Sequence, residues 1–189
     1  MTYPTGFGKL QEKFVEQYSK RMVIVHWLTL ALLLAAWYLG DSLAEATDAS
    51  KATLAGYLVH ISVGGIILLL TLLRFYVRRR DGVPDPLGIT PLDKVAKGVH
   101  YLLYTVLFLL PVSGLTILFT SKAGAALLAG DANLLPKEDG FKNVFSQVVH
   151  EQLVTVLIVL VVLHTLGAIN HHFIKKDRLL SRMSLRKKS

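Results

Sequence analysis

Residues 147–174 read QVVHEQLVTVLIVLVVLHTLGAINHHFI. The run is long enough to cross a hydrocarbon layer, which takes about 20 residues of α-helix. Glu151, near one end, is its only acidic or basic residue apart from histidine. His150 lies near the same end and His164 follows fourteen residues later. Fourteen helical residues rise about 21 Å and return to within about 40° of the starting face. An ionisable side chain within a bilayer is costly and usually functional. This single helix therefore presents imidazoles on one face at two depths.

Three further apolar runs precede it, at about 22–40, 55–77 and 98–120, and the last spans about 147–174. Of the 189 residues 52% are hydrophobic, and mean hydropathy is +0.48. A soluble domain of this size could not bury so much apolar surface in one core. The expected fold class is all-α: an integral membrane four-helix bundle forming a single membrane domain over residues 1–189.

The net charge of +8 is informative through its distribution. Four spans put both termini and the 78–97 connection on one side. That side holds 17 of the lysines and arginines, against Lys51, Lys122, Lys137 and Lys142 on the other. Positive residues collect on the cytoplasmic side, so both termini are expected to be cytoplasmic. The charge is a topology signal and gives no reason to invoke nucleic acid. With no cysteine, iron–sulfur clusters, thiolate zinc sites and covalently attached haem are excluded. The N-terminal MTYPTGFGKLQEKFVEQYSKR lacks the apolar core of a signal peptide, so the first span is expected to stay in the mature protein.

Smaller features fill in the chain. Residues 7–21 have apolar residues at helical spacing and predict a surface helix leading into span one. The stretch 81–91 is rich in turn formers. Pro111 and Gly114 predict a kink in span three. The 121–146 connection is the longest. The tail DRLLSRMSLRKKS combines apolar and basic residues and is compatible with lying on anionic lipid.

The other histidines fall into the same two depths. His60 and His150 lie near the outer starts of their spans, and His26 lies near the inner end of its own, level with His164. Two haems b, each between two neutral imidazoles and stacked across the bilayer, need one helix serving both depths and partners on its neighbours. The pairing read from depth is His60 with His150 and His26 with His164. Gly64 and Gly167 lie three or four residues from ligand positions and leave room for a flat macrocycle, or simply for close helix packing. Arg74, fourteen residues after His60, is a candidate contact for a haem propionate or a quinone, and equally an arginine reaching for the interface. His100, only three residues past Lys97, reads as too shallow to be a ligand; it is a candidate quinone or supporting contact. His171, one face with His164, is a candidate quinone contact or proton donor, whereas His172 reads as interfacial. A histidine-lined metal or proton transporter is the main rival, and an anchor subunit of a dehydrogenase complex is another. The transporter would be expected to carry acidic residues inside its spans, and the only one near a span is Glu151.

With these residues placed, the chain resembles the bacterial cytochrome b561 family over about residues 17–185. The resemblance rests on VHW at 25–27, VHISVGG at 59–65, HYLLY at 100–104 with LPVSG at 110–114, VHEQL at 149–153 and LHTLGAINHHFIKKDRLLSRM at 163–183. It implies two non-covalent haems b in the inner membrane, with His26, His60, His150 and His164 as ligands. It also implies electron exchange with ubiquinone or another quinone. Some members resemble superoxide:ubiquinone oxidoreductases; others serve a dehydrogenase or a periplasmic donor. The 121–146 connection differs from several relatives, which leaves the donor open.

Overall fold

The computed structural model describes residues 17–45, 51–85, 91–135, 145–177 and 179–186. Four helices among them are long and apolar enough to cross a membrane. They are α1 (Lys20–Ala44), α2 (Lys51–Asp81), α3 (Pro91–Thr120) and α5 (Phe145–Ile169), with a short α4 (Lys122–Ala129) between the last two. No strand occurs among the described residues.

α1 and α2 outrun their apolar stretches at both ends, and α3 and α5 at their starts, because a helix continues through the headgroup region where side chains are polar. The helix ends have local causes. Ser19 caps α1 by accepting the Met22 N–H on its hydroxyl. Proline suits the first position of α3, where its missing N–H would have had no helical partner. Ser121 caps α4, and Gly130 ends it in the left-handed region at φ 64°, which an L side chain rarely adopts. α3 continues through Pro111 as one helix. α5 passes at Asn170–Lys175 into a π-helical turn.

Backbones pack closely in three pairs: α3 with α5, α1 with α2, and α2 with α3. Neither α1 nor α2 lies close along α5. The bundle is thus two antiparallel hairpins joined along α2 and α3, with wider separation between α5 and the first hairpin. The core sits at mid-depth around Ile67, Val106, Leu107, Leu157 and Leu160, with Leu33 and Ala36 packed against it. A second cluster joins Leu54 of α2 to Ala126 and Leu135 of the 121–135 segment. That segment therefore lies over one end of the bundle, here called the loop end. Trp37 and Tyr38 are exposed near it, as interface aromatics would be.

At the opposite, terminal end the structure corrects one expectation and adds to another. Residues 17–19 are not helical, so the leading surface helix does not run into α1; residues 7–16 lie outside the described residues. The tail, read as compatible with lying on anionic lipid, is also tied to the bundle. Its 3-10 turn at Leu179–Met183 is strapped across the end of the bundle. Tyr18 N–H donates to the Arg182 carbonyl, and Gln17 Nε2 donates to that of Ser181 at 3.1 Å. Trp27 Nε1 donates to the Met183 carbonyl, also at 3.1 Å, and Arg182 Nη1 donates to the Asp85 carbonyl at 2.6 Å. The strap thus joins the start of α1 to the α2–α3 connection. Residues 86–90 of that turn-rich connection, and 136–144 of the longest one, lie outside the described residues.

Candidate functional site

Steps of seven residues along each long helix organise the interior. α1 carries His26, Leu33 and Gly40; α2 carries His60, Ile67 and Arg74; α3 carries His100, Leu107 and Gly114; α5 carries His150, Leu157 and His164. Two helical turns separate successive members, so each triplet stays near one face. Because neighbouring helices alternate in direction, the triplets align into three layers. The loop-end layer is Gly40, His60, Gly114 and His150. The middle layer is Leu33, Ile67, Leu107 and Leu157, all in the central core cluster. The terminal-end layer is His26, Arg74, His100 and His164.

In the loop-end layer the His60 and His150 ring centres are 6.4 Å apart with planes at 71°. First-row metals bind imidazole nitrogen at about 2.0–2.1 Å, so two imidazoles opposed across one metal ion have ring centres about 6.3 Å apart. Each ring has a glycine from a neighbouring helix at its back. A Cβ on Gly40 would lie 3.2 Å from His60 Cε1, and one on Gly114 would lie 3.3 Å from His150 Cε1. Ser113 fixes the second ring further. Its hydroxyl donates to the Leu110 carbonyl at 2.7 Å, which spends its one hydrogen. The 2.9 Å contact with His150 must then be Nδ1–H donating to the Ser113 oxygen. That leaves the Nε2 lone pair of His150 available to a metal. Nδ1 of His60 is buried with no hydrogen-bond partner among the described residues.

In the terminal-end layer His26 and His164 have ring centres 6.2 Å apart with planes at 61°. His100 lies 5.0 Å from His164, too close for an iron atom between them. It is nonetheless in the layer: α3 starts at Pro91, lower than the apolar stretch suggested, so His100 sits deeper than its distance from Lys97 implied. Arg74 joins the group. Its Nε donates to the Tyr104 hydroxyl at 3.1 Å, and its Nη2 donates to Nδ1 of His26 at 3.1 Å. The Tyr104 ring lies 5.1 Å from the guanidinium carbon. Arginine can only donate, so His26 here accepts at Nδ1 and carries its proton on Nε2. Binding a metal at Nε2 requires that proton to move to Nδ1 and Arg74 to release it. Tyr104 would still hold the guanidinium at this depth.

Beyond this layer, His171 Nδ1 pairs with Asp177 Oδ2 at 2.5 Å. Partial desolvation pushes the Asp177 carboxyl up, but the His171 ring, the Leu179 N–H and the Lys175 charge outweigh it and hold it below its ordinary value. His172 is exposed and packs edge-on against Phe173. Gly64 is half-buried, yet a Cβ there would meet nothing within 4 Å, and the same is true of the exposed Gly167. Among the described residues no three His, Asp or Glu side chains gather as ligands for a bare metal ion.

The four candidate ligands thus meet as two pairs with the spacing of opposed imidazoles, and His100 and Arg74 flank one pair. Sequence reading missed Gly40 and Ser113 and took Gly114 only for part of a kink. The signal was present: His26 to Gly40 and His100 to Gly114 repeat the fourteen-residue step of His150 to His164.

Comparison with known proteins identifies the family. The family model described as prokaryotic cytochrome b561 matches residues 17–184. The chain belongs to that family. Cytochrome b562 of Cereibacter sphaeroides is 32% identical over 173 residues, covering 88% of this chain and 94% of the relative. The probable superoxide oxidase CybB of Yersinia pestis is 26% identical over 177 residues, covering 92% and 98%. Cytochrome b561 homolog 1 of Escherichia coli K12 is 23% identical over 176 residues, covering 92% and 100%. As a prokaryotic cytochrome b561, the chain is a haem-b electron-transfer protein that crosses the bacterial inner membrane several times.

Proposed function

We propose that this cytochrome holds two haems b, one between His60 and His150 and one between His26 and His164, and carries electrons across the membrane to the quinone pool. The observation that carries the reading is the pair of ring separations, 6.4 and 6.2 Å, at two depths served by one helix. When bound, each haem supplies one-electron chemistry at iron. The protein's part is to hold the rings, leave flat space beside Gly64 and keep the interior dry.

The whole chain acts as a single membrane domain with the terminal end in the cytoplasm, following its excess of lysine and arginine. The loop-end layer is then the outer one and the terminal-end layer the inner one. They lie about 21 Å apart by helical rise. Electrons enter at the outer layer, under the 121–135 segment, and leave at the inner one. There Arg74, His100 and His171 are the candidate quinone contacts. With its Nδ1–H donated to Asp177, His171 has Nε2 free to take up a cytoplasmic proton and pass it on to a reduced quinone.

Superoxide is the donor we favour, on the likeness to the protein named a probable superoxide oxidase. The balance is two superoxide ions releasing two electrons and leaving as O2, while one quinone takes those electrons and two protons. A periplasmic redox protein is the second donor class.

Two substitutions test the haem assignment. His60→Ala and His164→Ala should each leave about one haem per chain by pyridine haemochrome assay, against about two in the parent. Retention of both haems in either variant would refute the pairing. For the donor, purified protein should speed ubiquinone reduction by a superoxide source; no gain over buffer would remove superoxide.

A further inference from the structure

We infer that the two layers are unequal electron acceptors by construction, with Arg74 making the inner layer the stronger one. This rests on the two-haem reading above.

The surroundings of the two histidine pairs are opposite in sign. At the inner layer the Arg74 guanidinium lies 3.1 Å from the His26 ring, braced by the Tyr104 hydroxyl. Arg78 is a second cation on the same tyrosine, 5.8 Å from its ring centre. The described acidic residues of this end, Asp81, Asp85, Asp93 and Asp177, lie at helix termini or beyond. Even after releasing Nδ1, Arg74 stays at this depth on Tyr104.

At the outer layer the neighbouring charge is negative. Glu151 directly follows His150, and Gln147 Nε2 donates to its Oε1 at 2.8 Å. His150 also gives its Nδ1–H to the Ser113 oxygen. A hydrogen bond of that kind makes the imidazole a more electron-rich ligand and favours oxidised iron. A fixed cation near the iron favours the reduced form, which carries one more negative charge. Both effects send the electron inward. The middle layer of four aliphatic side chains adds no charge to oppose them.

The experiment is a spectroelectrochemical titration of the full-length protein carrying both haems. His60→Ala keeps the inner haem and His164→Ala keeps the outer one, so each potential can be assigned. The inner potential should be the higher. Arg74→Gln should lower the inner potential alone, shifting the electron's partition between layers at least tenfold, which is 59 mV for a one-electron couple. Arg74→Lys should restore most of that shift. An inner potential at or below the outer one, or one unmoved by Arg74→Gln, would overturn the inference. If Arg74→Gln cannot hold the inner haem, Glu151→Gln decides, since Glu151 belongs to neither pair. It should raise the outer potential alone, and a shift of both potentials or of neither would overturn the inference. Fewer than two haems in the parent protein is a separate outcome that fails the underlying reading and is seen before any titration.

Discussion

Gly114→Ala should loosen the outer haem while leaving the inner one in place. The added Cβ would sit 3.3 Å from Cε1 and 3.6 Å from Nδ1 of His150. Carbon contacts settle at about 3.5–4.0 Å, so the ring must retreat by a few tenths of an ångström. It has little freedom to do so, because Ser113, the adjacent residue on α3, accepts its Nδ1–H at 2.9 Å. Overpacking of this kind costs about 1–3 kcal/mol. Borne by the loaded state alone, that lowers haem affinity roughly 5- to 140-fold, at about 1.4 kcal/mol per tenfold. Alanine also stabilises a helix by about 0.5–1 kcal/mol over glycine. That gain is common to the empty and loaded states and does not change affinity.

The assay is transfer of haem from detergent-purified protein to a high-affinity scavenger, followed by absorption. The variant should lose one haem faster and keep the other at the parent rate, and Gly40→Ala should behave alike through His60. Parent-like retention of both haems in both variants would refute the argument. Gly64→Ala is the contrast, since its Cβ meets no atom of the described residues within 4 Å. It should weaken outer haem retention only if the macrocycle would lie along that face, so unchanged retention would place the macrocycle elsewhere.

Three further outcomes follow from the same contacts. His100→Ala should retain both haems, because a 5.0 Å separation from His164 leaves no room for iron; loss of the inner haem would reverse the assignment. Trp27→Phe removes the donor to the Met183 carbonyl, about 1 kcal/mol of net stabilisation. Limited proteolysis of the tail should then be several-fold faster, and an unchanged rate would show that the strap is held elsewhere. Asp177 has a depressed value, so its contribution is present above the ordinary aspartate value of 3.8 and lost as pH falls through the lower folded one. Tail amide exchange should rise on acidification below that range, and Asp177→Asn should show the rise already at neutral pH. A tail whose exchange ignores both changes would sink the His171–Asp177 contact.

The spans and the two histidine depths were legible because apolar length and helical rise are local properties of the chain. His150 and His164 share a helix, so their relation needed no knowledge of neighbours. His100 was misjudged because an apolar stretch reports where side chains leave the hydrocarbon, whereas its helix begins further down, at Pro91. Gly40 was passed over, and Gly114 read only as part of a kink, because what a glycine makes room for lies on another helix. Ser113 reads as one small polar residue among many until the Leu110 carbonyl takes its hydrogen and the His150 ring needs its oxygen. The strap over the terminal end was hidden for a similar reason: Trp27 and Met183 are far apart in the chain, and an amphipathic tail looks the same whether lipid or protein receives it.

The middle layer of Leu33, Ile67, Leu107 and Leu157 has a consequence for energy conversion. A membrane protein with polar groups at two depths risks short-circuiting the proton gradient, since protons run along chains of hydrogen-bonding groups. None of these four side chains can relay a proton. The buried hydroxyls nearest the layer, Thr29 and Thr71, are spent on the carbonyls of Val25 and Ile67 in their own helices. An electron needs no such chain and can tunnel through packed hydrocarbon. On the two-haem reading the septum is thus a filter by particle, open to the electron and shut to the proton.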